Sequence, residues 1–337
     1  MTFSIRFLLS NVVISALLGV LLVFKRISKR YCTASSQYRI WYIFMAALFL
    51  PFVPHDYIRA DQLLMRIQRL LETNSAAAVN PSSGTAGAAT VSPLGVSDLA
   101  VSADSTVVSF LTVCLSAVWA AGCIVTTLYF LYNIYKIYMI QKSAYHITAE
   151  NEPELYREYV SCMDELNIKH SVPLYASCSI SSPVSYGLIR PKVMIPQDMD
   201  IELSAKDLHY IFLHELQHYK HKDAVLNYMS CIFQILYWFN PFIWYGFRIM
   251  RKDREIACDY SVIRTVGREH AADYGYTLIR YAETLRRNVF LSPLSRLGGE
   301  KKVIVQRIRE IADYRSESPL RKFRGICVLL LSTMVVY

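Results

Sequence analysis

The sequence has few charged residues and no closely spaced cysteine pair. Charged side chains make up 19% of the 337 residues, whereas hydrophobic residues make up 53% and the mean hydropathy is +0.25. A soluble domain of this length usually carries a smaller apolar fraction, so this balance favours a membrane protein. The eight cysteines include no Cys-x-x-Cys pair and therefore indicate neither a structural zinc knuckle nor a disulfide framework.

The net charge is +9, and basic residues cluster beside apolar segments. Examples are Lys25, Arg26, Lys29 and Arg30 after the first segment, and Arg321, Lys322 and Arg324 before the last. This distribution is the positive-inside pattern of membrane proteins rather than the basic patch of a nucleic-acid-binding protein. We therefore expect the lipid bilayer as a partner and no direct binding of nucleic acid.

Three apolar stretches, at residues 7–24, 38–53 and 107–132, predict membrane-spanning helices. With the basic residues 25–30 on the cytoplasmic side, residues 55–105 form an extracellular loop. We thus predict a multi-pass protein of the cell membrane, with three helices in residues 1–134 and a cytoplasmic domain in residues 135–320. A fourth helix starts within residues 321–337, but about thirteen apolar residues are too few to cross ~30 Å of hydrocarbon, so it is expected to be truncated.

The motif His214-Glu215-Leu216-Gln217-His218 predicts a zinc site. Histidines at positions i and i+4 share one face of a helix, so both imidazoles can bind one metal ion, and Glu215 can act on its bound water. Ser204 and Asp207 predict the N-terminus of this helix as a capping pair. A surface helix that carries two histidines by chance is the alternative.

A hydrolytic zinc site usually has a third protein ligand, and Glu255 is the best candidate. Asp259 lies one turn further on the same predicted helix, where it can orient a ligand histidine through the free ring nitrogen. The neighbouring Asp253 and Arg254 are expected on a solvated helix face. Cys258 points about 60° away from Glu255 around the helix axis, so we expect it in the core.

The apolar stretch between the histidines and Glu255 cannot cross the membrane once, because the ligands would then lie on opposite sides. We therefore predict a helical hairpin at residues 224–252 that turns at Asn240-Pro241. Upstream, residues 172–195 have the character of strands. An edge strand that binds a substrate peptide and an ordinary small sheet are equally favoured for them.

These motifs resemble the M56 family of membrane metallopeptidases, which includes the β-lactam sensor-transducers of the BlaR and MecR type. The resemblance rests on His214 to His218 with Lys222-Asp223, on Trp238-Phe239-Asn240-Pro241, on Asp253-Arg254-Glu255 with Ala257-Cys258-Asp259, and on Ser182-Pro183-Val184 with Tyr186-Gly187-Leu188 and Arg190-Pro191. It implies a mainly α multi-pass membrane protein with an inserted α+β zinc metalloprotease domain of the gluzincin type.

The resemblance also implies a site and a role. Zinc would be bound by His214, His218 and Glu255, with Glu215 as the general base. The protein would transduce an antibiotic signal by cleaving itself and by cleaving or inactivating a cytoplasmic repressor of the BlaI/MecI type. A homodimer is left open. The sequence departs from full-length sensor-transducers because it contains no Ser-x-x-Lys motif, so the sensed ligand is not identified.

Self-cleavage needs a flexible substrate segment, and residues 288–299 combine apolar side chains with proline and glycine between two predicted helices. We predict a cut within the segment Leu294, Ser295, Arg296 and Leu297. A simple interhelical loop is the alternative. For the whole chain, the alternative to a protease is a non-catalytic signalling scaffold with a structural zinc site.

Overall fold

The computed structural model describes residues 3–28, 33–52, 105–289 and 297–314, which form a mainly helical chain with one small sheet. The helices are α1 (Phe3–Ser28), α2 (Ala34–Ala47), α3 (Ser105–Ser143), α4 (Pro153–Glu165), α5 (Met199–Glu202), α6 (Ala205–Lys220), α7 (Asp223–Leu236), α8 (Pro241–Val266), α9 (Ala271–Val289) and α10 (Leu297–Ala312). The strands are β1 (Tyr145–Ile147), β2 (Leu174–Ser177), β3 (Val184–Tyr186) and β4 (Lys192–Pro196). The prediction of a mainly helical chain is therefore confirmed.

The four strands form one mixed sheet in the order β1-β2-β4-β3. The two central strands, β2 and β4, run parallel, and both outer pairs are antiparallel. Leu174 and Val193 are paired across the central strands and are fully buried in a core that also contains Phe212 of α6. The sheet thus covers the helix that carries the zinc motif, while β3 remains at the edge.

A second core joins α1 and α2 to the helical hairpin of α7 and α8. The hairpin turns at residues 237–240, and the Asn240 side chain accepts a hydrogen bond from the Phe242 backbone at 3.0 Å. Asn240 also donates to Asn11 and Ser15 of α1, at 3.2 and 3.0 Å. Further along the same two helices, Lys25 forms an ion pair with Asp253. The first half of α8 therefore runs parallel to α1, from Asn240 at the hairpin turn to Asp253, two residues before Glu255.

The third helix packs closely against the hairpin turn through a glycine. A Cβ atom on Gly122 would lie 2.0 Å from the indole ring of Trp238. The Trp238 indole N–H donates to the Trp119 carbonyl at 3.2 Å, and the Trp119 indole donates to the Leu236 carbonyl at 2.9 Å. Only glycine lets the backbone of α3 approach the tryptophan this closely.

Two described helices are long and apolar enough to cross a membrane: α1 over Ser10–Ile27 and α3 over Phe110–Ser143. The predicted span at 38–53 is not one continuous α-helix, because α2 ends at Ala47 and a short 3₁₀ turn, which contains Pro51, covers Leu50–Phe52. The predicted fourth span lies outside the described residues, as does the predicted extracellular loop apart from Ser105, the first residue of α3. The multi-pass topology therefore stays a prediction.

Candidate metal centre

The zinc motif lies in the second half of α6, a helix fixed at its start by a capping box. The Ser204 hydroxyl accepts from the Asp207 backbone N–H, and the Asp207 carboxylate accepts from the Ser204 backbone, as the sequence predicts. From Leu208 to Gln217 almost every residue of α6 is buried. The two histidines therefore project from an embedded helix, and the alternative of a surface helix with chance histidines is wrong.

Three donor atoms converge at the centre. Glu255 Oε2 lies 3.4 Å from His214 Nε2 and 3.8 Å from His218 Nε2. The imidazole rings are 4.8 Å apart and nearly perpendicular, at 87°. Donor atoms on a tetrahedral zinc ion are separated by about 3.3 Å when each metal bond is about 2.0 Å. The two distances from Glu255 Oε2 are thus close to those expected between ligands of one zinc ion.

His218 is oriented by a carboxylate from the next helix. Lys222 adopts a left-handed backbone conformation, with φ of 57°, and α7 begins directly after it at Asp223. The buried Asp223 carboxylate therefore lies 2.7 Å from His218 Nδ1. Its other oxygen accepts a hydrogen bond from Tyr38 of α2 at 3.3 Å. This contact fixes the ring so that Nε2 faces the metal position.

His214 is oriented through a tyrosine that sequence reasoning did not identify. The Tyr274 hydroxyl, on α9, lies 3.0 Å from His214 Nδ1 and donates to Asp259 Oδ1 at 2.6 Å. Because the single hydroxyl proton goes to the carboxylate, His214 Nδ1 must donate to Tyr274, which leaves Nε2 available for metal. Asp259 itself lies 3.4 Å from His214 Nδ1. Its predicted contact with a ligand histidine is thus made largely through Tyr274.

Two guanidinium groups surround Glu255. Arg307 of α10 lies 3.8 Å from Glu255 Oε2 and 3.4 Å from His214 Nε2. Arg254 donates to Glu255 Oε1 at 3.3 Å. Burial acts to raise the pKa of Glu255, but His218 and the other cationic neighbours outweigh it and hold the pKa well below 4.5. Glu255 is therefore ionised, which is the state in which a carboxylate can bind a metal ion. Arg254 does not lie on the predicted solvated face.

The neighbouring Asp253 is also not solvated. It accepts from the Trp41 indole at 2.7 Å and pairs with Lys25, which places it between α1 and α2. Burial raises the pKa of its carboxyl group, although the Lys25 ammonium opposes this shift. The charged stretch before Glu255 therefore connects the centre to the helices of the second core.

Cys258 lies closer to the histidines than the sequence predicts. It is fully buried, as expected, and its thiol donates to the His214 carbonyl oxygen at 3.3 Å. Its sulfur and the nearest nitrogens of His214 and His218 all lie within 4.8 Å of one another. The offset of about 60° from Glu255 around the helix axis therefore does not keep its sulfur away from the histidines, which reach across from α6. Burial lowers the pKa of His218, but Cys258 and Glu255 outweigh it and raise this pKa well above 6.5.

Glu215 is 8% exposed, and its side chain forms none of the side-chain hydrogen bonds or ion pairs found in the described part of the chain. Its carboxylate therefore has no competing partner there and can accept a proton from a water molecule. Of the predicted cut segment, Leu294, Ser295 and Arg296 lie outside the described residues. Leu297 is the first residue of α10, and α9 extends to Val289, so the connection between these helices is shorter than the predicted residues 288–299.

The sequence profile of the family described as BlaR1 peptidase M56 matches residues 5–311. The chain belongs to this family. It is 28% identical to the regulatory protein BlaR1 of Bacillus licheniformis over 330 residues, which cover 98% of this chain and 54% of that protein. It is 22% identical to the methicillin resistance protein mecR1 of Staphylococcus aureus over 325 residues, or 95% of this chain and 54% of that protein. The chain thus spans about half the length of the curated relatives it matches.

Proposed function

We propose that this chain is a membrane-bound, zinc-dependent metalloendopeptidase that acts in signal transduction. The convergence of His214 Nε2, His218 Nε2 and Glu255 Oε2, at separations of 3.4 and 3.8 Å, carries the proposal. Two imidazoles and one carboxylate are a donor set of catalytic zinc sites, which leave the fourth position for water. Membership of a peptidase family supports the same reading.

The residues of the chain divide the chemistry between them. His214, His218 and Glu255 would hold the zinc ion, which would supply Lewis acidity towards a peptide carbonyl and a water molecule. Glu215 would accept a proton from the attacking water and deliver it to the leaving amine. Asp223 and Tyr274 hold the two imidazoles in the tautomer that presents Nε2. No serine or cysteine nucleophile is required.

The test compares metal binding with cleavage in the purified 337-residue chain. Glu215→Gln is expected to keep zinc at the metal centre and to lose all proteolysis, whereas His218→Ala loses proteolysis and the zinc ion of that centre. Glu150→Gln, at an exposed turn, is the matched control and should keep both. Cleavage that persists in Glu215→Gln contradicts the proposed role, and full zinc occupancy in both His218→Ala and Glu255→Ala contradicts the ligand assignment.

One observation favours the alternative of a non-catalytic scaffold. The Cys258 sulfur lies within 4.8 Å of a nitrogen of each histidine, so it could complete a closed four-ligand structural zinc site. Cys258→Ser separates the two functions. A scaffold requires zinc affinity to fall sharply in this variant, and wild-type protein would then show no cleavage. If the chain is a peptidase, the Cys258→Ser variant should retain both zinc binding and cleavage.

We further propose a multi-pass topology in the cell membrane, with residues 135–320 on the cytoplasmic side. The apolar side chains of α3 are largely exposed, as expected for a helix in contact with lipid. The test uses a background in which the exposed Cys114 and Cys178 are serine. A cysteine introduced at His170 should resist an impermeant thiol reagent in intact cells, whereas one at Ser82 in the predicted outer loop should react.

Within this function, we propose self-cleavage between Leu294 and Leu297 and action on a cytoplasmic repressor of the BlaI/MecI type. The relatives named as regulatory and methicillin resistance proteins support a signalling role. N-terminal sequencing of the fragment formed on activation tests the position of the cut. A fragment that begins outside residues 288–299, or one that forms in Glu215→Gln, contradicts it.

A further inference from the structure

A second group of metal-binding side chains lies on the other end of the helix that carries the zinc motif. Glu158 and Cys162 are one turn apart on α4, and His209 faces them from α6. His209 precedes His214 by five residues, which turns its side chain about 140° around the helix axis from the metal centre. The two groups of donors are therefore separate.

The donor atoms of this second group converge on one ring nitrogen. His209 Nδ1 lies 2.6 Å from Glu158 Oε1 and 3.3 Å from Cys162 Sγ. The donor atoms of the three residues all lie within 4.8 Å of one another. Thiolate sulfur and imidazole nitrogen are preferred zinc ligands at about 2.3 and 2.0 Å, so an ion among these atoms requires only small side-chain movements.

The second nitrogen of His209 has the support that metal-binding histidines require. His209 Nε2 lies 3.2 Å from Glu165 Oε2. A carboxylate behind a metal-binding imidazole fixes its tautomer and orientation. The same arrangement, an imidazole between the metal position and a carboxylate, occurs at His218 and Asp223 in the metal centre.

The charge of the group also favours a dication. Among the described residues, Glu158 and Glu165 form ion pairs only with His209, and the nearby Lys206 pairs with Asp273 at 2.7 Å. A cavity of about 380 Å³ borders Glu158, Glu165, Lys206 and His209 and provides a route for an ion from solvent. A divalent ion would therefore offset two carboxylates that otherwise share one imidazole.

We propose that Glu158, Cys162 and His209 form a second zinc site, which joins α4 to the helix of the catalytic motif. Binding replaces the proton on His209 Nδ1 and the thiol proton of Cys162, and both protons pass to solvent. Burial raises the pKa of the Cys162 thiol, so proton release accompanies binding rather than preceding it. The proposed site does not depend on the proposed peptidase activity.

Cobalt(II) substitution tests the site, because a cobalt–thiolate bond gives a charge-transfer absorption that nitrogen and oxygen ligands lack. The metal-free 337-residue chain in detergent is titrated with Co²⁺. We expect the thiolate band in the wild type, in His218→Ala and in Cys258→Ser, and its loss in Cys162→Ser. Loss of the band in Cys258→Ser with retention in Cys162→Ser would assign the sulfur ligand to the metal centre and overturn the proposal, as would a wild type without the band.

Zinc-induced stabilisation provides a second measurement that is independent of catalysis. In the His218→Ala background, where the metal centre is disabled, added Zn²⁺ should still raise the thermal midpoint and should bind with a stoichiometry of about one. Cys162→Ser or His209→Ala in that background should abolish the rise. The matched control is His270→Ala, because His270 borders the same cavity without lying among the three donors. Equal stabilisation in Cys162→Ser overturns the second site and leaves the peptidase proposal untouched.

Discussion

Arg307 donates hydrogen bonds to both carboxylate oxygens of Asp259, at 2.8 Å from Nε and 2.6 Å from Nη2. The Asp259 side chain is 1% exposed and that of Arg307 is 14% exposed, so little water reaches the pair. The carboxylate also accepts the Tyr274 hydroxyl, which in turn contacts His214. This ion pair therefore attaches α10 to the metal centre.

Arg307→Ala should destabilise the fold strongly. It removes both hydrogen bonds and leaves a buried carboxylate without a counter-charge, which costs about 3–5 kcal/mol. Thermal unfolding of the zinc-free chain measures the loss. Arg309→Ala, an exposed position on the same helix, is the control and should have little effect.

A double variant distinguishes a lost ion pair from a lost packing contact. Arg307→Ala combined with Asp259→Asn should be less destabilised than the sum of the two single variants, since the second change removes the unpaired charge. Strict additivity, or an Arg307→Ala variant as stable as the wild type, would contradict the coupling.

Asp223→Ala should weaken zinc binding while retaining all three ligands. Without the carboxylate at 2.7 Å, His218 loses the partner that fixes its tautomer, and such changes typically cost about 10–100-fold in metal affinity. Competition with a chelator measures the affinity. Asp273→Ala, at a half-exposed position that pairs with Lys206, is the matched control. Unchanged affinity in Asp223→Ala would show that α7 does not support the site.

Gly122→Ala should loosen the contact between α3 and the hairpin turn. The added methyl group would overlap the Trp238 indole at 2.0 Å, and the required shift costs about 1–3 kcal/mol. Gly19→Ala is a matched control in the other candidate spanning helix, because a Cβ at that position meets nothing within 4 Å. A lower thermal midpoint is expected only for Gly122→Ala, and equal midpoints for the two variants would refute the close packing.

The spacing of residues along single helices predicts what the structure places there. The capping pair Ser204 and Asp207 marks the start of α6, and the periodic pattern of the helix predicts its buried face. The spacing of Glu255 and Asp259 predicts two carboxylates on one face of α8, and both contact His214. Such local rules work because side chains one turn apart are neighbours in any helix.

The groups that support the ligands follow from no local pattern. Tyr274 and Arg307 reach His214 from positions 60 and 93 residues later, on helices whose packing brings them there. Asp223 is one of the residues on which the family resemblance rests. Its contact with His218, however, is explained only by the left-handed turn at Lys222. Cys258 shows the limit of an argument from angles around one helix. Its distance from His214 and His218 depends on how far those histidine side chains reach from the neighbouring helix α6.

Asp207→Asn should destabilise the chain at neutral pH and have little effect in acid. Asp207 is 2% exposed and its carboxylate accepts hydrogen bonds from Ser204, Thr277 and Arg280. Burial opposes ionisation, but these three bonds outweigh it and lower the pKa below 3.8. A carboxyl group whose pKa is lower in the folded state stabilises the fold at pH values above its unfolded pKa, and this contribution is lost as the pH falls through the folded value.

We expect a difference of about 1–2 kcal/mol in the free energy of unfolding between wild type and Asp207→Asn at neutral pH, from the lost cap and hydrogen bonds. Thermal unfolding measured from neutral pH to below 3.8 should show the two midpoints converge, while Asp164→Asn, at an exposed position of α4, should match the wild type throughout. A difference that stays constant across this range would mean that the ionised carboxylate is not what stabilises the start of the zinc-motif helix.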